Sequence, residues 1–210
     1  MATPAAGIMQ NQKGLGELWT RLKFLFLAII VYRVGSHIPV PGIDAAQLES
    51  IFNNSQNTIF GMANMFSGGA LERMSVLALG VMPYISASII VQLLTAVVPQ
   101  LEQLKKEGES GRRKINQYTR YGTVLLASVQ ATGMVSSLAS SQALYATGMS
   151  VFILAAVSLV TGSIFMMWLG EQITERGIGN GFSMLIFAGI VAGLPAAIGQ
   201  ALEQARQGDL

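Results

Sequence analysis

Three stretches of this chain are free of Asp, Glu, Lys and Arg for longer than a bilayer is thick: Met74 up to Glu102, Tyr121 to Gly170, and Gly177 to Leu202. A membrane-crossing helix takes roughly 20 mostly apolar residues, so each stretch holds at least one. Composition agrees. Only 11% of the 210 residues are charged and 51% are hydrophobic, whereas about 25% of a soluble domain is charged.

The second stretch is too long for one crossing, and its centre, "SSLASSQALYATG" from Ser136 to Gly148, has the small polar composition of a turn. It divides into two helices. A further candidate comes first, "LKFLFLAIIVYRVGSHIPV" from Leu22 to Val40. It contains Lys23, Arg33 and His37, but long basic side chains near helix ends can snorkel to the interface. The expected fold is therefore all-α and polytopic, with five transmembrane helices at about 22–40, 74–98, 121–138, 149–170 and 181–202. Pro83, with Gly80 before it, predicts a bend inside the second helix.

Sidedness follows from the basic residues. With a cytoplasmic N-terminus, Lys13, Arg21, Lys23, Lys105, Lys106, Arg112, Arg113, Lys114, Arg120 and Arg176 share one side, leaving only Arg33, Arg73 and Arg206 on the other. That is the positive-inside pattern. The first apolar run is followed by "RVGSHIPVPG" rather than a small-residue cleavage site, so it is expected to stay as a helix. There is no cysteine, hence no disulfide or Cys-based metal site.

Several motifs admit more than one reading. The basic loop from Lys105 to Gly122 has neither the spacing nor the strand of a phosphate loop. It serves as a topology signal or as a docking site for a cytoplasmic partner or anionic lipid. "TERGIGNGFS", Thr174 to Ser183, joins two apolar helices and reads as a tight hairpin. His37 is the only histidine and has no partners for a metal site or triad. Ser67 lacks the base a nucleophile needs, which argues against an intramembrane hydrolase.

The later spans hold no Asp or Glu, which weakens a coupled-transporter reading. They do hold Gln92 and Gln130. At ~1.5 Å per residue, these amides lie ~9 Å and ~14 Å from the cytoplasmic ends of their helices. They can form an interhelical hydrogen bond or a wettable seam. Val81 and Ile85, and again Phe182 and Ile186, are spaced to project from one helix face, as packing or lipid-facing surface, or as something more specific.

"MFSGGALERMSVLALGVMPYISASIIVQLL", "KKEGESGRRKINQYTRYGT", "WLGEQITERGIGNGFSMLIFAGIVAGLP" and "RVGSHIPVPGID" occur together. With these motifs the chain closely resembles the SecY family of bacterial protein-translocation channels, in its proteobacterial form. The resemblance covers essentially the whole chain but only the first five of the family's ten helices, that is, one half of an inverted-repeat channel.

It implies that about 60–74 is a short plug helix, including Phe66, Ser67, Gly68, Gly69, Glu72 and Arg73. Val81, Ile85, Phe182 and Ile186 match the apolar pore ring, where Phe182 is bulkier than the branched aliphatic residue usual there. Gln92, Gln130 and Ser86 match the lateral gate that signal sequences part. Lys105, Lys106, Arg112, Arg113, Lys114 and Arg120 face cytoplasmic partners. The implied function is the pore subunit of a passive translocon in the cytoplasmic (inner) membrane, not an enzyme, with no cofactor or metal. Its implied partners are SecE, SecG, SecA, the ribosome, signal sequences and nascent polypeptides, anionic lipid and the channel's C-terminal half.

Overall fold

In lipid a chain must satisfy its own backbone hydrogen bonds, and helices do this within a single segment. The computed structural model describes residues 4–43, 48, 64, 67–141, 144 and 148–207. Among these it has six helices: α1 (Pro4–Gly35), α2 (Met82–Val97), α3 (Pro99–Lys106), α4 (Glu109–Ser140), α5 (Met149–Arg176) and α6 (Gly181–Gln207). By length and composition α4 and α5 can each cross a membrane, and apolar α2 would add a third crossing if counted with α3, from which it is bent by 99°.

Helix ends differ from the sequence expectation for local reasons. α1 begins well before Leu22, in a polar segment where Arg21 pairs with Glu17 at 2.8 Å one turn away. It stops at Gly35, because Pro39 and Pro41 cannot continue a helix and bias the residues before them towards extended backbone.

α2 starts at Met82 rather than Met74, and this corrects the expected bend. Pro83 lies in the first turn of α2, where its missing N–H breaks no bond. Upstream, Met74 (φ 41°) and Gly80 (φ 56°) take left-handed backbone, and residues 67–81 form successive turns instead of helix. The expected kink is thus a helix start.

The basic loop is also corrected, since most of it is helical. Val98 is extended (φ −95°, ψ 114°), as a residue before proline prefers, and Pro99 opens α3. Gly108 (φ 77°) then reverses the chain into α4, whose first turn carries Glu109. Lys105 and Lys106 end α3; Arg112, Arg113, Lys114 and Arg120 ride on α4. A Cβ at Gly111 would collide with the Leu104 carbonyl, so this glycine permits the tight crossing.

The bundle packs through small residues. Pro83, Ala87, Val91 and Thr95 on α2, and Thr119, Thr123, Ala127, Ala131 and Val135 on α4, form buried stripes at every fourth position. Close approach through such stripes suits helices that have no hydrophobic drive between them. α5 touches α1, α2, α4 and α6 and so sits centrally.

Two cores flank the turn-built connection before α2. Met74 and Ala78 enter one, with Val135 and Leu159. Leu77 and Val81 enter the other, with Tyr32, Met166 and Leu185.

At the far end, Thr174 Oγ1 donates to the Gly170 carbonyl at 2.8 Å and accepts from Gly181 N–H at 2.9 Å. Asn180 Oδ1 accepts from Phe182 N–H at 3.0 Å, capping α6. The "TERGIGNGFS" glycines therefore make a tight hairpin.

Candidate pore wall and plug segment

Val81 at the N-cap of α2, Ile85 on α2 and Ile186 on α6 line a 350 Å³ cavity that Ser67 and Leu71 also border. Among the described residues, Ser67 and Gln130 bring the only polar side chains to its lining. Such a surface offers almost no fixed hydrogen bonds and holds water poorly. The first-turn bond from Ile85 N–H to the Val81 carbonyl (3.0 Å) sets both side chains on the same face.

Phe182 lies elsewhere. Its ring stacks on Tyr84, with centroids 3.8 Å apart and planes 12° from parallel, and covers Gly170. Stacking and the missing Cβ at Gly170 give the ring a place against α2 and α5, away from the cavity. Three of the four sequence-matched residues therefore share the wall.

The amides do not pair. Gln92 is exposed and donates to Ser88 Oγ on its own helix at 3.2 Å, while Gln130 borders the cavity. Ser86 is half-buried on α2.

The described part of the segment expected to form a plug is a nest of turns, with Gly68 and Gly69 at φ 64° and 80°. Phe66 lies outside the described residues. Ser67 Oγ donates to the Asn64 carbonyl at 2.9 Å and accepts from Leu71 N–H at 3.2 Å. Asn64 in turn accepts from Glu72 N–H and donates to the Glu72 carboxylate, both at 3.0 Å.

Sequence reasoning missed how this segment meets α1. Tyr32 Oη donates to the Ser67 carbonyl at 3.0 Å, and Arg33 Nη1 donates to that of Gly68 at 3.2 Å. His37 Nδ1 lies 2.7 Å from the Arg33 carbonyl and must donate to it, which leaves Nε2 to accept from Arg73 Nη1 at 2.7 Å. Below these, Val40 N–H donates to Met74 and Val76 N–H to Ile38, each at 2.9 Å. One available signal was Arg33 itself, a basic residue closing an apolar helix and in need of acceptors.

On the opposite charged end, Lys106 bonds to Glu102 at 2.7 Å and holds its carboxyl below the ordinary carboxylate range, first by the hydrogen bond and then by charge. Arg120 makes a two-bond fork with Glu171 on α5, at 2.8 Å each. It is thereby committed to the bundle, whereas Lys105, Arg112, Arg113 and Lys114 are exposed. Arg120 is half-exposed, so a double-mutant cycle of Arg120→Ala with Glu171→Ala, read by thermal unfolding in detergent, is expected to give a coupling of about 1 kcal/mol. A coupling indistinguishable from zero would mean that the fork does not hold in solution. Among the described residues, no three His, Cys, Asp or Glu side chains gather as a metal site would require.

Comparison with known proteins bears on this geometry. A family model described as SecY matches residues 75–209. The chain is 65% identical over 210 residues to the protein translocase subunit SecY of Pseudomonas aeruginosa, covering 100% of this chain and 48% of that protein. Its fold is similar to Sec61 in the canine ribosome–channel complex from the endoplasmic reticulum. The TM-score there is 0.66 at 20% identity, over 91% of this chain and 42% of the other. It is likewise similar to a SecY structure described as showing that the plug domain stabilises the closed translocation channel and maintains a membrane seal. That match has a TM-score of 0.67 at 21% identity, over 91% and 41% of the two chains.

Proposed function

The chain belongs to the SecY family, spanning about half the length of the curated relatives it matches, and from that premise we propose that it supplies the N-terminal half of a protein-conducting pore. It acts as a passive conduit for secretory polypeptides and as one wall of a lateral gate for membrane proteins. The observation that carries this reading is the apolar cavity lined by Val81, Ile85 and Ile186 and bordered by Ser67 and Leu71 of the turn-built segment.

The physics of such a wall explains its use. A polypeptide crossing the membrane presents every kind of side chain, so a good conduit binds none of them firmly. Val81, Ile85 and Ile186 offer dispersion contacts only, and a narrow apolar throat excludes ions by dewetting. Phe182, stacked on Tyr84, braces α6 against α2 beside the ring. The segment carrying Ser67, Gly68, Gly69, Glu72 and Arg73 is the plug, whose turns detach at less cost than a packed helix.

Ser86 on α2, with Gln92 and Gln130, forms the gate seam, where amides that are not bonded to each other can take up water when a signal helix arrives. Lys105, Lys106, Arg112, Arg113 and Lys114 make the cytoplasmic docking surface for SecA, the ribosome or anionic headgroups. SecE, SecG and the C-terminal half complete the assembly. The subunit catalyses nothing itself and lies in the bacterial cytoplasmic membrane with its N-terminus inside, as its basic residues favour.

The test is photo-crosslinking from Ile85 in the complete channel to a secretory chain stalled halfway through. A crosslink that requires a functional signal sequence is expected. Its absence, while a control position on another helix crosslinks, would move the polypeptide path off this face of α2.

A further inference from the structure

The plug segment has two differently held parts. Residues 74–78 are fixed, with Met74, Ser75, Leu77 and Ala78 buried and the chain paired to Ile38 and Val40 across the Pro39–Ser75 bridge. In the second part Ala70 and Leu71 are buried, whereas Ser67, Gly68 and Gly69 are only half-buried and Glu72 and Arg73 are exposed. Burial therefore seats it at two side chains only. To these it adds the set of three bonds to the end of α1.

Resting on the plug reading above, we propose that Tyr32, Arg33 and His37 form a latch that sets how tightly the plug is seated, with the Pro39–Ser75 bridge as its fixed hinge. Each latch group meets a different part of the segment. Tyr32 takes the carbonyl of Ser67, Arg33 that of Gly68, and His37 the guanidinium of Arg73. Two of the three contacts are to backbone carbonyls, so they persist whatever side chains the plug carries.

The seat is shaped for this turn alone. Gly68 has φ 64°, and a Cβ added there would lie 3.0 Å from Gly189 Cα on α6 and 3.2 Å from Tyr32 Oη. The turn is thus gripped between α1 and α6. Tyr32 is 2% exposed, so while the cavity is dry its hydroxyl has the Ser67 carbonyl as its partner. The buried Tyr32 hydroxyl left without an acceptor is costly, and the half-buried Arg33 guanidinium loses a charge-assisted bond, so release becomes easy only when water enters to replace the plug. Ser67, whose carbonyl Tyr32 holds, also borders the apolar cavity, so the latch ties plug movement to its wetting through this residue.

The experiment uses the complete channel in planar bilayers and in vesicles, on a cysteine-free background. Ala70→Cys reports seating. Ala70 is 0% exposed, so a membrane-impermeant maleimide reaches a cysteine there only after release. Tyr32→Phe and Arg33→Met are each expected to raise both the labelling rate and the resting ion leak about 2–10-fold, the shift that one lost hydrogen bond gives a two-state equilibrium. Arg33→Lys, which keeps a cationic donor, is expected to fall well short of Arg33→Met; a purely volumetric role would not separate the two.

Deletion of Gly61 to Arg73 is the control. If it raises the leak while Tyr32→Phe and Arg33→Met label like the parent, the plug is real and the latch is not what holds it. If the deletion leaves the leak unchanged, the plug reading itself fails and the latch falls with it.

Discussion

Complete channels carrying Ile85→Asp are expected to conduct ions at rest at least about tenfold more than the parent. Ile85 is half-buried against a cavity whose described lining is polar only at Ser67 and Gln130, with Val81 and Ile186 beside it. Among these described residues no cation faces a carboxylate placed there. Leaving it dry would cost several kcal/mol, so it must instead draw in water. A hydrated throat no longer excludes ions. Phe187→Asp makes the comparison, because Phe187 is exposed on α6 and does not border the cavity. It is expected to impair insertion without a comparable leak in the channels that do assemble. Equal conductance from parent and Ile85→Asp channels, at equal assembly, would mean that this cavity is not the ion barrier.

Hydropathy and charge made the membrane class and the succession of helices legible, because lipid punishes charge wherever it falls in a span. Positions decided by local backbone choice were less legible. Pro83 looks the same to a hydropathy count in a helix interior or in a first turn. What moves it to the first turn is left-handed backbone at Met74 and Gly80, together with Leu77 and Val81 entering one core while Met74 and Ala78 enter another.

Arg112, Arg113 and Lys114 read as loop because basic runs usually flank spans, yet Gly108 and Gly111 allow a helical hairpin to continue straight through them. The wall residues Val81, Ile85 and Ile186 were reachable from helical spacing plus family resemblance. Phe182 was not, since its place depends on a stacking partner, Tyr84, that neither helix declares alone. The bonds from Tyr32, Arg33 and His37 join residues about 35 positions away in sequence, and no local pattern marks them.

The connection before α2 also sets the largest stability effect to be expected. Gly162 on α5 lies directly under it, and a Cβ there would collide with the Val76 carbonyl and lie 3.0 Å from Val76 Cγ1. Val76 cannot simply step aside. Its N–H is bonded to Ile38 at 2.9 Å, and its neighbours Ser75 and Leu77 are buried. Gly162→Val therefore pushes on a backbone held from both ends. Overpacking a core costs about 1–3 kcal/mol when side chains can adjust, and here the obstacle is main chain, so a loss of at least about 3 kcal/mol is expected.

The measurement is thermal stability of the detergent-solubilised channel by size-exclusion chromatography, with Gly133→Val as comparison, because a Cβ at Gly133 meets nothing within 4 Å. Gly162→Val should lose the monodisperse species at a much lower temperature, or fail to assemble, while Gly133→Val behaves as the parent. If Gly162→Val melted with the parent, the 71–81 connection would have to be free to slide over α5. The proposed plug would then have no fixed hinge at the Pro39–Ser75 bridge, and its movement would extend to Val81 on the proposed pore wall.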